Sequence, residues 1–143
     1  MSREYPPRPI VGIGVVVLRP GAVLAVRRLR PPAAGSWSLP GGAQKLGETS
    51  QEAARRELRE ETGLEVGELY LAGVADSLLR DPDGRVRYHY TIIDYAALWR
   101  GEEARPGGDA GALLWVGFDA LDQYLSSSEA RRMVFIARNI LKC

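Results

Sequence analysis

The sequence predicts an α/β (α+β) fold: a mixed β-sheet with two or three helices, in one domain. Three observations predict it. Runs rich in Val, Ile and Leu recur at 10–18, 22–28, 69–79, 86–99 and 112–117, each of strand length. A helix-period segment with its own start and stop signals stands at 49–62, between the second and third runs. A second amphipathic pattern closes the chain at 129–142. Helices interleaved with strands pack on a sheet rather than on each other.

The elements follow in order. The runs 10–18 and 22–28 flank Pro20-Gly21 and predict an antiparallel hairpin. Residues 30–36 form a loop, because two prolines and a glycine deny it a regular ladder. Trp37 to Pro40 is a short extended piece running into Gly41-Gly42. Thr49 opens the helix, since Thr49-x-x-Glu52 has the capping-box pattern, and Ala, Arg, Leu and Glu dominate as far as Glu61. Thr62-Gly63 ends it, with glycine suited to the left-handed cap. Runs 69–79 and 86–99 are separated by Asp81-Pro82-Asp83-Gly84, which predicts a second hairpin. A polar, glycine-rich loop (101–111), a final strand (112–117) and a short helix (118–124) come next. The closing helix carries Met133, Ile136, Ile140 and Leu141 on its apolar side. Residues 1–143 make one domain, with 1–9 expected to be a flexible N-terminal segment.

Composition excludes several classes of function. The chain has 143 residues, 45% hydrophobic and 26% charged, so disorder, collagen-like repetition and a coiled coil are excluded. The longest apolar stretch, 10–18, falls short of the ~20 residues a membrane span needs. The first nine residues lack the apolar core of a secretion leader. Cys143 is alone, so no internal disulfide forms, and a reducing, cytoplasmic setting is expected. The formal charge of +1 argues against a nucleic acid polymer held by bulk charge. That neutrality hides a segregation: residues 1–41 hold six Arg and one Glu, net +5, whereas 42–68 hold seven Glu and four Lys or Arg, net −3. Such neighbours suit a small anion beside a metal cation, or simply a variegated surface.

The helix at 49–62 carries acid where its core should be. At ~100° per residue, Ala53, Ala54, Glu57, Glu60 and Glu61 share one arc. Like charges at i, i+3 and i+4 repel, more so when partly buried. Three carboxylates converging at a helix end offer hard oxygen ligands to Mg²⁺ or Mn²⁺. A solvated Glu-rich helix is the other reading of the same pattern.

The wider spacing decides between them. Gly42-x5-Glu48-x7-Arg56-Glu57-Leu58-x-Glu60-Glu61-x-Gly63-Leu64 resembles, position for position, the 23-residue signature of the Nudix hydrolases. At average residue frequencies such a match arises by chance on the order of once in 10⁹ starting points. Trp37-Ser38-Leu39-Pro40-Gly41-Gly42 and Gly47-Glu48-Thr49 are also similar to the family, and the resemblance covers most of 10–125. It implies the Nudix fold, an α/β/α sandwich around a mixed sheet.

The resemblance also implies roles. Glu57, Glu60 and Glu61 would be the metal-binding, catalytic carboxylates, with the carbonyl of Gly41 a further ligand. Gly42, Glu48, Arg56 and Gly63 would be structural. The implied chemistry is Mg²⁺- or Mn²⁺-dependent hydrolysis of a nucleoside diphosphate linked to another moiety. Family members place the general base in the box or in a loop before the last core strand. Asp109 is the acid in that second place, with Glu102 and Glu103 as alternatives. Arg27 or Arg28 would face the diphosphate, since adjacent strand residues point to opposite faces. Trp37, Tyr88 or Trp115 could stack on a base, whereas His89 reads as a packed or sheet-surface residue.

The segment His89-Tyr90-Thr91-Ile92-Ile93-Asp94-Tyr95, with Gly107-Gly108-Asp109-Ala110 and Trp115-Val116, resembles the bacterial ADP-ribose pyrophosphatase-like branch. ADP-ribose or a related nucleotide sugar is therefore the expected substrate. A MutT-type hydrolase of nucleoside triphosphates and a non-catalytic nucleotide-sensing module are the alternatives. The expected partner is a small molecule, with no membrane. Many members of the family are dimers, so a homodimer is one expectation.

Overall fold

The structure, a computed structural model, describes residues 2–143. Its strands are β1 (Ile10–Arg19), β2 (Ala22–Arg28), β3 (Trp37–Ser38), β4 (Gly41–Ala43), β5 (Tyr70–Arg80), β6 (Val86–Leu98) and β7 (Ala110–Gly117). Its helices are α1 (Ser50–Thr62), α2 (Leu121–Tyr124), entered through a 3₁₀ turn at Phe118–Ala120, and α3 (Ser128–Leu141). All seven strands join one mixed sheet in the order β3-β2-β1-β6-β5, with β4 added to β1 and β7 to β2.

β1 is the spine. Almost every residue in it is buried, as expected of a strand covered on both faces. Its odd residues Ile13, Val15 and Val17 pack with Ala53, Ala54 and Leu58 of α1. Its even residues Val16 and Leu18 pack with Met133, Val134 and Ala137 of α3. The period-2 alternation of one strand thus feeds two cores, and the molecule is an α/β/α sandwich.

The hairpin between β1 and β2 forms, but its ladder is short: only Leu18↔Val23 and Arg19↔Ala22 pair. Beyond that point the segment from Trp37 to Ala43 lies between them. It pairs first with β2 (Val26↔Ser38) and then with β1 (Gly14↔Gly41, Ile13↔Gly42). β4 is absent from the sequence reading because Gly41-Gly42 carries no strand propensity; pairing with β1 makes it a strand. On its other edge β1 runs parallel to β6, from Ile10↔Tyr90 to Leu18↔Leu98.

The turn between β5 and β6 is built on Asp81, whose Oδ1 accepts the N–H groups of Asp83 and Arg85 at 3.0 and 2.9 Å. β7 begins at Ala110, two residues earlier than read, because Ala110 still pairs with Arg28. The buried face of α3 is Met133, Val134 and Ala137; Ile140, read as apolar-side, is 38% exposed at the rim of that arc. Ahead of β1, Glu4 and Tyr5 lie against β6 and the turn before it: Arg87 Nε donates to Glu4 at 2.8 Å and Tyr5 Oη to Asp81 at 2.9 Å.

Candidate active site

α1 begins and ends where its local chemistry dictates. Thr49 Oγ1 accepts the Glu52 N–H at 3.1 Å while Glu52 Oε1 accepts the Thr49 N–H at 2.9 Å, a complete capping box. Gly63, at φ 72°, closes the helix in the left-handed region. Ala53 and Ala54 let the helix lie close on β1, and this sets the depth of the carboxylates in the following turns.

Those carboxylates differ in burial. Glu61 is 6% exposed, and its Oε1 accepts the backbone N–H of Gly41 at 2.7 Å. Burial pushes its carboxyl up to about 7, against that hydrogen bond, and nearby Glu57 and Asp109 push the same way. Glu57 is largely buried and Glu60 half exposed. Burial also raises the Glu57 carboxyl, opposed by the Arg56 guanidinium. The arc read from the sequence is therefore graded, from a buried Glu61 to a Glu60 at the rim.

Arg56 ties this end of the helix to the preceding loop. Its Nε and Nη2 donate to both oxygens of Glu48 at 3.0 and 2.7 Å. Its Nη1 donates to Glu57 at 2.8 Å and reaches Glu60 at 3.3 Å, and Nη2 also meets the Ala43 carbonyl at 3.1 Å. The guanidinium beside Glu48, helped by the Lys45 N–H, holds that carboxyl down to about 2. Gly42 is small of necessity, because a Cβ there would lie 2.5 Å from the Glu57 carboxylate.

The loop before β7 docks on the open end of α1. Arg105 N–H donates to the Thr62 carbonyl at 2.8 Å and Gly107 N–H to the Glu61 carbonyl at 3.1 Å, so helix-end carbonyls find partners. This docking brings Asp109 to the carboxylates. Its Oδ1 is 3.0 Å from Arg30 Nε, and its side chain is half exposed.

A cleft of about 650 Å³ joins these parts, lined by Arg28, Trp37, Gly41, Asp109 and the three glutamates. Of the two candidate arginines, Arg28 lines it, with Nε donating to the Pro32 carbonyl at 2.8 Å; Arg27 is exposed and does not. Glu102 and Glu103 line a separate pocket of about 390 Å³ with Trp99 and Trp115, which removes them from the site. Trp115 stacks there under Arg19, whose guanidinium carbon is 4.4 Å from its ring centre. Tyr88 is buried, and neither it nor His89 reaches the cleft. Tyr90 and Asp94 do line it, and the sequence reading gave neither a role. The available signal was an acid in the otherwise apolar run from Ile92 to Leu98.

Among the described residues no three acidic, His or Cys side chains gather tightly enough to enclose an ion by themselves. The donor set nonetheless fits a hard divalent cation that shares its shell with water and substrate oxygens. Every ligand offered is oxygen, and Glu61 is a buried carboxylate whose hydrogen-bond partner is a main-chain N–H rather than a cation. No helix among the described residues is long and apolar enough to cross a membrane.

Comparison with known proteins gives the family and the fold. The NUDIX domain family matches residues 8–137. The "Putative 8-oxo-dGTP diphosphatase 2" of Mycobacterium tuberculosis is 52% identical over 108 residues, 75% of this chain and 72% of that protein. The ADP-ribose pyrophosphatase of Methanocaldococcus jannaschii is 37% identical over 102 residues, 71% of this chain but 58% of the archaeal one. The chain thus spans little more than half the length of that relative. Among solved structures, the MutT NUDIX hydrolase from Burkholderia pseudomallei has a TM-score of 0.77 at 32% identity, covering 90% of this chain and 97% of its own. The NUDIX domain of Shewanella oneidensis NrtR, solved with ADP ribose, also has a TM-score of 0.77. At 20% identity, covering 94% of this chain and 89% of that one, it shares the fold.

Proposed function

The chain belongs to the Nudix family, and from that premise we propose that it is a divalent-metal-dependent hydrolase of a nucleoside diphosphate linked to a second moiety. ADP-ribose or a related nucleotide sugar is the substrate class we favour. One observation carries the reading: a buried carboxylate, a largely buried one and a third at the rim face Arg28 and Asp109 across a single cleft. A pure binding module has no need of that cluster, which costs stability by burying like charges.

Glu57, Glu60 and Glu61, with the Gly41 carbonyl, would hold Mg²⁺ or Mn²⁺. Bound there, such an ion screens the diphosphate, polarises a phosphoryl oxygen and lowers the pKa of an attacking water. Arg28 grips the diphosphate, for which the planar guanidinium offers two parallel donors. Water adds to one phosphorus, the bridging P–O bond breaks, and the second phosphate departs with that oxygen. The water's proton passes to an acid residue of the cleft, for which Asp109 is our candidate. Arg56 holds Glu57 in place and takes no part in bond changes. Most of the rate comes from positioning and from charge stabilisation. The lone cysteine favours a cytoplasmic setting.

The ADP-ribose choice rests on the 37% identical archaeal relative of that name. The 52% identical mycobacterial relative favours a second reading, pyrophosphohydrolysis of a nucleoside triphosphate. Incubation with Mg²⁺ and a panel of ADP-ribose, dinucleotides and (deoxy)nucleoside triphosphates separates them. Release of AMP from ADP-ribose is expected; preferential release of pyrophosphate from a triphosphate selects the second reading. No turnover of any compound that shifts the melting temperature would overturn the enzyme assignment.

A further inference from the structure

β1 carries glycine at positions 12 and 14, on the face opposite α1. Gly12 packs under Ile92, and the Asp94 carboxylate overhangs Gly14 so closely that a Cβ there would collide with Oδ1. Ala75, Ser77, Tyr90 and Ile92 extend the same wall of the cleft. The result is a flat, small-residue floor with one acid in it. Asp94 is 4% exposed and makes no hydrogen bond within the described residues; its carboxylate oxygens are not sealed in the interior but open onto the cleft. The charged groups near it are both on α3, Arg132 and Glu129. Arg132 is already engaged by Glu129 at 2.8 Å and the Val74 carbonyl at 3.3 Å.

Polar groups this deep in a fold are nearly always hydrogen-bonded. A carboxylate whose free oxygens open only into a cleft is placed to meet what binds there. An ionised carboxylate only accepts hydrogen bonds, so the ligand must bring N–H or O–H. The place fixes which part of the ligand arrives. Gly14 pairs with Gly41 on one side and with Asp94 on the other, so Asp94 stands two strand spacings, about 10 Å, from the strand that meets Glu61. A base, a ribose and one phosphate, extended, cover a distance of that order.

We propose that Asp94 reads the nucleobase, its carboxylate accepting a hydrogen bond from an exocyclic amino group while the ring lies on the floor formed by Gly12, Ala75 and Ile92. This rests on the nucleotide reading above and sharpens it: amino-bearing bases are selected over those that present only carbonyl oxygen at the same edge. A carbonyl facing Asp94 would set lone pairs against a charge that no other group satisfies. Burial raises the carboxyl to about 6, which leaves it ionised and acceptor-only at neutral pH.

Calorimetric titration with AMP, GMP and IMP tests the inference without requiring turnover. Hypoxanthine lacks both the 6-amino group of adenine and the 2-amino group of guanine, so it offers a carboxylate no exocyclic donor and only the ring N1–H. The wild-type protein is expected to bind at least one of AMP and GMP tenfold or more tighter than IMP. In Asp94→Asn and Asp94→Ala that preference should fall to within about twofold, whereas inorganic pyrophosphate, which has no base, should bind all three proteins alike. Equal affinity of wild type for all three nucleotides overturns the inference, and so does a preference that survives in a folded Asp94 variant. The parent reading fails separately: a base preference lost with Asp94, in a protein that hydrolyses nothing, would remove the hydrolase and keep the base reader. Hydrolysis of ADP-ribose without any preference against IMP would do the reverse.

Discussion

The main-chain N–H of Gly41 and the Glu61 carboxylate meet at 2.7 Å, joining the short strand β4 to the last turn of α1. The bond holds a buried acid in a fixed direction without neutralising it. Replacing Glu61 by Gln keeps the shape and removes the charge. Melting temperature should hold or rise, because a buried charge is gone, while hydrolysis of the active substrate should fall about 10²-fold or more. A variant with near-normal turnover would remove Glu61 from the catalytic set.

The two adjacent glycines of β4 should respond differently to alanine. At Gly41 a Cβ would collide with the Ile13 carbonyl, a main-chain group that cannot swing aside. Gly41→Ala should therefore lower the melting temperature markedly. At Gly42 the obstacle is the Glu57 side chain, 2.5 Å away. Gly42→Ala should melt closer to wild type and lose activity by displacing Glu57. Circular dichroism melts and turnover, measured together, distinguish the pair.

Arg56 should not be replaceable by Lys. An ammonium cannot grip both oxygens of Glu48 and hold Glu57 at once. The Arg56→Lys variant should melt several degrees lower at pH 7. The carboxyl of Glu48 titrates at about 2 in the folded protein and near 4.5 when free, so its contribution is complete above 4.5 and is lost as pH falls toward 2. Melting temperature followed from pH 6 to 2 should drop more steeply in wild type than in the variant.

Asp94 predicts the opposite sign. Burial raises its carboxyl to about 6 from 3.8, so stability falls as pH rises through that window and stays lowered above it. The ionised group costs about 3 kcal/mol at neutral pH. Asp94→Asn should raise the melting temperature at pH 7 by several degrees. The advantage should shrink below pH 6 and vanish below about pH 4. An unchanged or lower melting temperature at pH 7 would mean that Asp94 has a partner in the folded chain.

The neighbouring arginines offer a simple contrast. Arg28 lines the cleft and Arg27 faces away. Arg28→Ala should raise KM about tenfold or more through the lost phosphate contact. Arg27→Ala should leave both kinetic constants near wild type.

Much of the fold was legible because its signals are local. Thr49, Glu52 and Gly63 bracket α1, and Asp81 with Gly84 builds the β5–β6 turn, all within a few residues of chain. What escaped depends on partners distant in sequence. Gly41-Gly42 becomes a strand through β1; propensity alone argues against it. The parallel pairing of β1 with β6 leaves no local mark. Glu102, Glu103 and Asp109 share one loop, and the docking of Gly107 on the end of α1 is what separates them between two pockets. Asp94 was visible as an acid in an apolar strand, but not its direction, since register decides which face an alternating residue takes.

The two ends of the cleft also differ in how much chain must be closed to form them. Gly41 and Glu61 are 20 residues apart, whereas Gly14 and Asp94 are brought together across the parallel β1–β6 ladder from four times that separation. Loop-closure entropy makes the longer connection costlier by about 1.2 kcal/mol, and long-range pairing is what slows folding. The acidic end is thus a product of nearby sequence, while the floor beneath Asp94 exists only once the centre of the sheet has closed. A chain cut before β6 would retain the carboxylates proposed to hold the metal and have no surface on which to tell one base from another.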